Sequence, residues 1–219
     1  MEKKIWRFKR VLFMLPMALM VLVILSCGPT RRQSIKAWEK HEWKKVKASK
    51  NTGRQWKIYR RKVRNTAFWE YKIVGEISCS PKQGVERFRK DIKRLANGAD
   101  PKKYPSYQVL QESKDSLLTY VIHNEPFPFK DTEMSVRYVF HVRDEKDTAV
   151  EWTESWSDCD EPHKKLKRVE MFRGSLRLSS RNGSQTQMVQ TMQFDPKGMP
   201  MWLVNPTVIK FLKKELKKY

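Results

Sequence analysis

Successive segments between Tyr107 and Asp195 alternate apolar with polar residues and are joined by tight turn signals, and nothing else in the sequence constrains the fold as strongly. Tyr107–Glu112 and Leu117–His123 are separated by Ser113–Ser116, and Glu133–Arg143 and Thr148–Trp156 flank Asp144–Asp147. Asn182-Gly183 lies between Val169–Ser179 and Ser184–Asp195, and this dipeptide favours the positive φ angles of a hairpin turn. A strand turns alternate side chains to opposite faces, so Met134, Val136, Tyr138, Phe140 and Val142 share one apolar face, as do Val150, Trp152 and Trp156. The expectation is an antiparallel sheet with local connections.

The flanking periodicity is different. Ser80-Pro81 is a helix start, Val85, Phe88, Ile92 and Leu95 recur at helical spacing, and Asn97-Gly98 is a stop. Met199 to Tyr219 repeats Met201, Val204, Val208, Leu212 and Leu216 at three- and four-residue intervals, which predicts an amphipathic C-terminal helix. Its lysines 213, 214, 217 and 218 suit the negative pole of the helix dipole. Upstream, Ile35, Trp38, Trp43 and Val46 predict a further short helix over Ser34–Lys50, and short strands are expected at Trp56–Tyr59 and Tyr71–Ser78. A chain of 219 residues without repeats or low-complexity stretches suits one core. The fold class is therefore α+β, a curved antiparallel sheet around a long C-terminal helix.

Four blocks, in order, carry a family resemblance. Trp43–Val46 with Trp56-Lys57-Ile58-Tyr59-Arg60 is followed by Tyr71-Lys72-Ile73-Val74-Gly75-Glu76-Ile77 and Ser80-Pro81. Pro126-Phe127-Pro128 with Lys130-Asp131, then Val169–Ser175, then Asp195-Pro196-Lys197-Gly198-Met199-Pro200 with Trp202-Leu203-Val204-Asn205 complete the set. From Trp43 to the C-terminus the sequence resembles the StAR-related lipid-transfer (START) family. It departs from the family pattern at Lys130, where arginine is usual, at Ser175, where tryptophan is usual, and at Tyr104–Tyr107, in place of a Trp-Asp pair.

The resemblance implies a helix-grip fold whose sheet and terminal helix enclose an apolar tunnel for one lipid, the helix acting as a lid. Val136, Tyr138, Phe140, Trp152, Trp156, Met171, Val204 and Val208 are the expected apolar lining. Polar groups among such walls orient a ligand, which singles out His123, Glu154, Arg173 and Gln190. Each is equally readable as a buried structural hydrogen bond or as a side chain turned out by a local twist.

The N-terminus is different in kind. Lys3, Lys4, Arg7, Lys9 and Arg10 precede an unbroken apolar run from Val11 to Leu25, the pattern of an export signal. Ile24-Leu25-Ser26-Cys27 resembles a bacterial lipobox, which implies that Cys27 is acylated and becomes the first mature residue. The alternative is an uncleaved transmembrane anchor, although the run is short for a span and contains Pro16. Residues 1–26 thus read as a lipoprotein signal peptide or signal anchor, 27–33 as a tether and 34–219 as the domain. On either reading the domain is exported and held at a membrane, on the periplasmic or outer face of a bacterial cell. With Cys27 acylated, Cys79 and Cys159 are left as a disulfide or as two buried thiols.

The formal net charge of +22 is only partly due to the leader. Outside the cytoplasm such charge favours an anionic membrane surface over nucleic acid, for which no aromatic–basic module is present. Enzymatic chemistry finds little to work with. His41, His123, His141 and His163 are the histidines, and none belongs to a HExxH motif; no Gly-x-Ser-x-Gly elbow or P-loop occurs. Cys159 and His163 on one acidic loop fall short of a four-ligand zinc site. The expected protein is a monomeric, cofactor-free carrier of a lipid or other apolar small molecule. A polyketide cyclase or aromatase of the same fold, and a protein-binding scaffold with a filled interior, are the alternatives.

Overall fold

In a computed structural model the described residues are 42–49, 55–63, 68–125, 130–142, 144–156, 163–181, 185–194 and 200–219. The expected segment 1–26, the tether with Cys27, the Pro126-Phe127-Pro128 segment and Cys159 lie outside them. The account below concerns the compact unit formed by 42–62 and 67–219.

The first hairpin-like pair is β1 (Lys44–Ala48) with β2 (Trp56–Lys62). Here the expected helix over Ser34–Lys50 is corrected where it falls on described residues, because Lys44–Ala48 is an edge strand; its first part, residues 34–41, lies outside them. Trp43 and Val46 are three apart as on a helix, yet Lys44, Val46 and Ala48 also alternate. Pairing with β2 supplies the backbone partners that decide between the two periods. Trp43 lies under the Arg61 guanidinium and the Lys72 ammonium, each 4.3 Å from its ring.

The chain continues through β3 (Trp69–Ile77), α1 (Pro81–Ala96), β4 (Ser106–Glu112), β5 (Ser116–His123), β6 (Thr132–Val142) and β7 (Asp147–Glu154). It ends with the two-residue β8 (Lys167–Arg168), then β9 (Phe172–Arg181), β10 (Gln185–Phe194) and α2 (Met201–Leu216). The sheet order is β1-β2-β3-β10-β9-β7-β6-β5-β4, all antiparallel. β8 adds a parallel pairing at the start of β6, taking over from β7 after Glu154. The α+β helix-grip architecture expected from the sequence is what the chain forms.

Local chemistry explains the boundaries. Ser80 caps α1 by accepting from the Gln83 amide at 3.3 Å, while the Gln83 side chain accepts from the Ser80 amide at 3.2 Å, and Pro81 starts the first turn. Beyond the Asn97 cap, Gly98 adopts φ 79°, which a side chain would resist. In the β6–β7 turn Asp144 Oδ1 accepts from the amides of Lys146 and Asp147, both at 2.7 Å. Within α2, Pro206 lacks an amide hydrogen, and the Thr207 hydroxyl donates to the Leu203 carbonyl at 3.2 Å.

Both helices lie on one face of the sheet, and the core sits between. Ile58, Tyr71, Ile73, Leu117, Val150, Leu176, Leu178 and Met188 are buried there, with Val204, Val208, Leu212 and Leu216 of α2 packed in the same cluster. Two glycines set the approach of the helices. A Cβ on Gly84 of α1 would lie 2.3 Å from Leu178 Cδ1, and one on Gly75 of β3 would lie 2.9 Å from Leu216 Cδ1. Val142, expected on the apolar face, is instead 61% exposed at the last position of β6.

Candidate functional site

The inner face follows from strand register. Tyr138 stands opposite Trp152, Trp152 opposite Gly174, and Gly174 opposite Met192, so one row crosses four strands. The next row runs Phe140, Val150, Leu176, Gln190, Ile73 and Ile58. Trp152 lies over the gap left by the missing side chain of Gly174; a Cβ at 174 would be 2.3 Å from Trp152 Cζ2. Phe88 of α1 stacks on Trp152 at 5.9 Å between ring centroids and meets Tyr138 edge-on at 5.9 Å.

On this apolar surface two polar groups stand out. Trp152 is 5% exposed, and its indole Nε1 is buried with no hydrogen-bond partner among the described residues. Gln190 is 3% exposed, in the adjacent row on the next strand but one. A buried donor without an acceptor costs about 1–3 kcal/mol, a penalty that an acceptor on a bound molecule would remove. Tyr107 and Tyr138, with Thr119 nearby, put a second group of hydroxyls on this side of the sheet. Burial pushes the Tyr107 phenol up to about 12 and raises the Tyr138 phenol well above its ordinary value, so both remain neutral hydroxyls.

Charged groups are handled differently. Glu154, whose side chain is 1% exposed, takes both Arg173 Nε, at 2.8 Å, and the Phe172 amide, at 3.2 Å. β7 leaves the ladder at this point, and the carboxylate replaces the backbone acceptor that Phe172 would otherwise lack. Glu133 receives Arg168 Nε at 3.2 Å, the Tyr120 hydroxyl at 2.8 Å and the His163 amide at 3.2 Å. Glu70 is held by Arg61, directly opposite it in the β2–β3 register. Burial raises the Glu70 carboxyl above its ordinary value, against the pull of Arg61 and Lys72. Glu70 and Glu133 escaped the sequence reading; an acidic residue opposite arginine in paired strands was the available signal.

The sequence candidates therefore separate. Val136, Tyr138, Phe140, Trp152, Gln190, Val204 and Val208 are brought together in or on the core between sheet and helices. Glu154 and Arg173 form a buried ion pair at the end of a ladder. Met171 is buried but outside the main core cluster. Trp156 comes after the last residue of β7 and turns away, its Nε1 donating to the Val169 carbonyl at 3.0 Å and its ring lying 4.0 Å from the Arg168 guanidinium. His123 lies at the end of β5, with Nδ1 3.0 Å from Glu125 Oε1, Thr132 donating to the same oxygen, and Tyr104 edge-on at 5.3 Å. Cys79 is buried, and its candidate partner Cys159 lies outside the described residues.

The terminal helix is fixed unevenly. The Tyr71 hydroxyl donates to Asn205, in the second turn of α2. At its C-terminal end Lys218 binds Asp91 of α1 and also Glu215, at 2.7 Å, while Arg87 donates to the Tyr219 carbonyl at 3.1 Å. At the other end Trp202 is 75% exposed. Burial opposes ionisation of Asp91, but hydrogen bonds from Lys218 and Arg94 outweigh it and hold the carboxyl below its ordinary value. A depressed carboxyl stabilises the fold above its unfolded pKa and loses that contribution as pH falls through its folded value. Asp91→Asn is therefore expected to be less stable than the parent at pH 7, with the difference closing as the pH falls to about 3. Urea denaturation at the two pH values checks this.

No protein-family model and no curated protein sequence matches the chain. Solved structures do. The human StarD13 (DLC2) lipid transfer and protein localization domain superposes with a TM-score of 0.62 at 10% identity, over 85% of this chain and 91% of that one. A STAR-related lipid transfer protein from Xanthomonas axonopodis gives 0.62 at 16% identity, over 80% and 97% of the two chains. Human STARD10 gives 0.60 at 16% identity, over 87% and 79%. At these identities the likeness is one of fold, and the fold is that of START domains.

Proposed function

We propose that the chain is an exported, membrane-tethered carrier that holds one lipid or similar apolar molecule between the sheet and α2. The observation that carries this reading is the Trp152 Nε1, without a partner among the described residues, on an inner face whose next row carries the buried Gln190 two strands away. An apolar wall with a few aimed polar groups is what a ligand site needs. The START-like fold supports the same reading, since the similar structures include a lipid transfer and protein localization domain and a lipid transfer protein. Burial of an acyl chain supplies about 0.8 kcal/mol per methylene.

The inner polar groups also favour an uncharged ligand head. Among the described residues every buried carboxylate is tied to a cation: Glu70 to Arg61, Glu133 to Arg168, Glu154 to Arg173 and Glu215 to Lys218. Carboxylates so held are poor general bases, which favours binding over turnover. The apolar run Val11–Leu25 and Cys27 supply the tether, which suits presentation or sensing of lipid at one membrane better than transfer between two.

The test follows one resonance. In full-length delipidated protein carrying ¹⁵N-labelled tryptophan, the Trp152 indole signal, assigned by its loss in Trp152→Phe, is expected to shift when dioleoylglycerol is added. A shift confined to the exposed Trp202 would place the lipid on the surface and refute the reading.

A further inference from the structure

The edge of the sheet formed by β1 and β2 carries a dense run of exposed positive charge. Lys44, Lys45 and Lys47 are exposed on β1, and Lys57 and Lys62 on β2. Among the described residues none of these lysines pairs with a carboxylate; the nearest buried one, Glu70, is already held by Arg61. α2 extends the patch. Lys213 Nζ lies 5.5 Å from the Trp56 ring of β2, so the helix face bearing Lys213, and with it Lys210 and Lys217 at helical spacing, borders the same edge.

Two explanations of such an edge differ in what they require. Lysines on an outermost strand guard it against pairing with another chain. That role is met by charge of either sign and leaves the α2 lysines unexplained. A docking role needs positive charge on both elements and an anionic partner within reach.

Chain connectivity names the partner. Only residues 26–41 separate the end of the apolar run at Leu25 from the start of the described domain at Glu42. Sixteen residues span at most about 55 Å when fully extended, so a segment seated in a bilayer keeps β1 close to that bilayer's surface. We infer that the β1–β2 edge and the Lys210–Lys213–Lys217 face of α2 dock on the anionic headgroups of the membrane that holds the N-terminal segment. This rests on the tether proposed above. Each lysine at such a surface strengthens binding about fivefold, and the attraction is screened within about 10 Å at moderate salt.

The experiment is lysine footprinting of the full-length chain reconstituted into vesicles, read by mass spectrometry after brief treatment with an amine-acylating reagent. On vesicles of phosphatidylcholine with about one-third phosphatidylglycerol, acylation of Lys44, Lys45, Lys47 and Lys57 is expected to be at least about fivefold slower than on pure phosphatidylcholine. Lys164, Lys165 and Lys167, exposed on the β8 side, should react equally on both. About 0.5 M NaCl should abolish the difference. K44E/K45E/K47E, which keeps a charged edge, should abolish it at Lys57 while melting within a few degrees of the parent.

Equal footprints on the two vesicle types, or protection that survives the triple reversal, would overturn the inference while leaving the tether intact. Protein that floats with neither vesicle type would refute the tether itself. Protection of the same lysines by a DNA duplex added in neutral detergent, with none from phosphatidylglycerol, would reassign the edge to nucleic acid.

Discussion

Arg173→Met is expected to cost about 3–5 kcal/mol of folding stability, because it leaves the Glu154 carboxylate buried without its counter-charge. The two side chains are 20% and 1% exposed, so solvent screens little of the loss. The Glu154→Gln/Arg173→Met double variant should recover most of it. Glutamine still offers an oxygen to the Phe172 amide but carries no charge to desolvate. A urea titration of both variants against the parent measures the difference. Comparable losses in the single and double variants would show that Arg173 acts through packing instead of charge.

Gly174→Val is expected to be the most damaging single substitution on the inner face, at about 3 kcal/mol. A Cβ there would stand 2.3 Å from the Thr191 carbonyl oxygen as well as 2.3 Å from the Trp152 ring. The ring can swing aside, but a backbone carbonyl in a β ladder cannot. Adding Trp152→Ala should therefore rescue little. The neighbouring Ser175→Ala, which removes one 2.9 Å hydrogen bond to Thr191, should cost no more than about 1 kcal/mol. Calorimetric melting of the three variants gives the ranking.

These positions also show what was readable in the sequence. The strands from Ser106 to Phe194 and the capped helix from Pro81 announce themselves, because period-two alternation, turn residues and a capping box are local signals. β1 was hidden because Trp43 and Val46 fit a helical spacing as well as an alternating one, and only the distant β2 decides between them. β8 is two residues long and exists only because β7 vacates its track beside β6.

Residue identities at the site were more legible than their roles. Glu154, Arg173, Trp152 and Gln190 could be singled out as polar or aromatic members of apolar strands. That the first two neutralise each other while Trp152 Nε1 has no partner among the described residues depends on register between β7 and β9, which no single strand records. Trp156 was misplaced for a related reason. Its parity matches Trp152, but β7 ends at Glu154, and beyond a strand's end parity no longer assigns a face. The hydrogen bond between Tyr71 and Asn205, which ties β3 to α2, joins residues too far apart in sequence for any local pattern to reveal.

The central claim, that this fold holds an apolar ligand, is most directly tested by native mass spectrometry. Full-length protein is purified, delipidated and offered a mixture of phospholipids, fatty acids, diacylglycerols and sterols. The account predicts a one-to-one adduct with a lipid whose buried head is uncharged, surviving release from detergent and weakened in Trp152→Phe. Protein that remains free of any adduct across the whole mixture would contradict it.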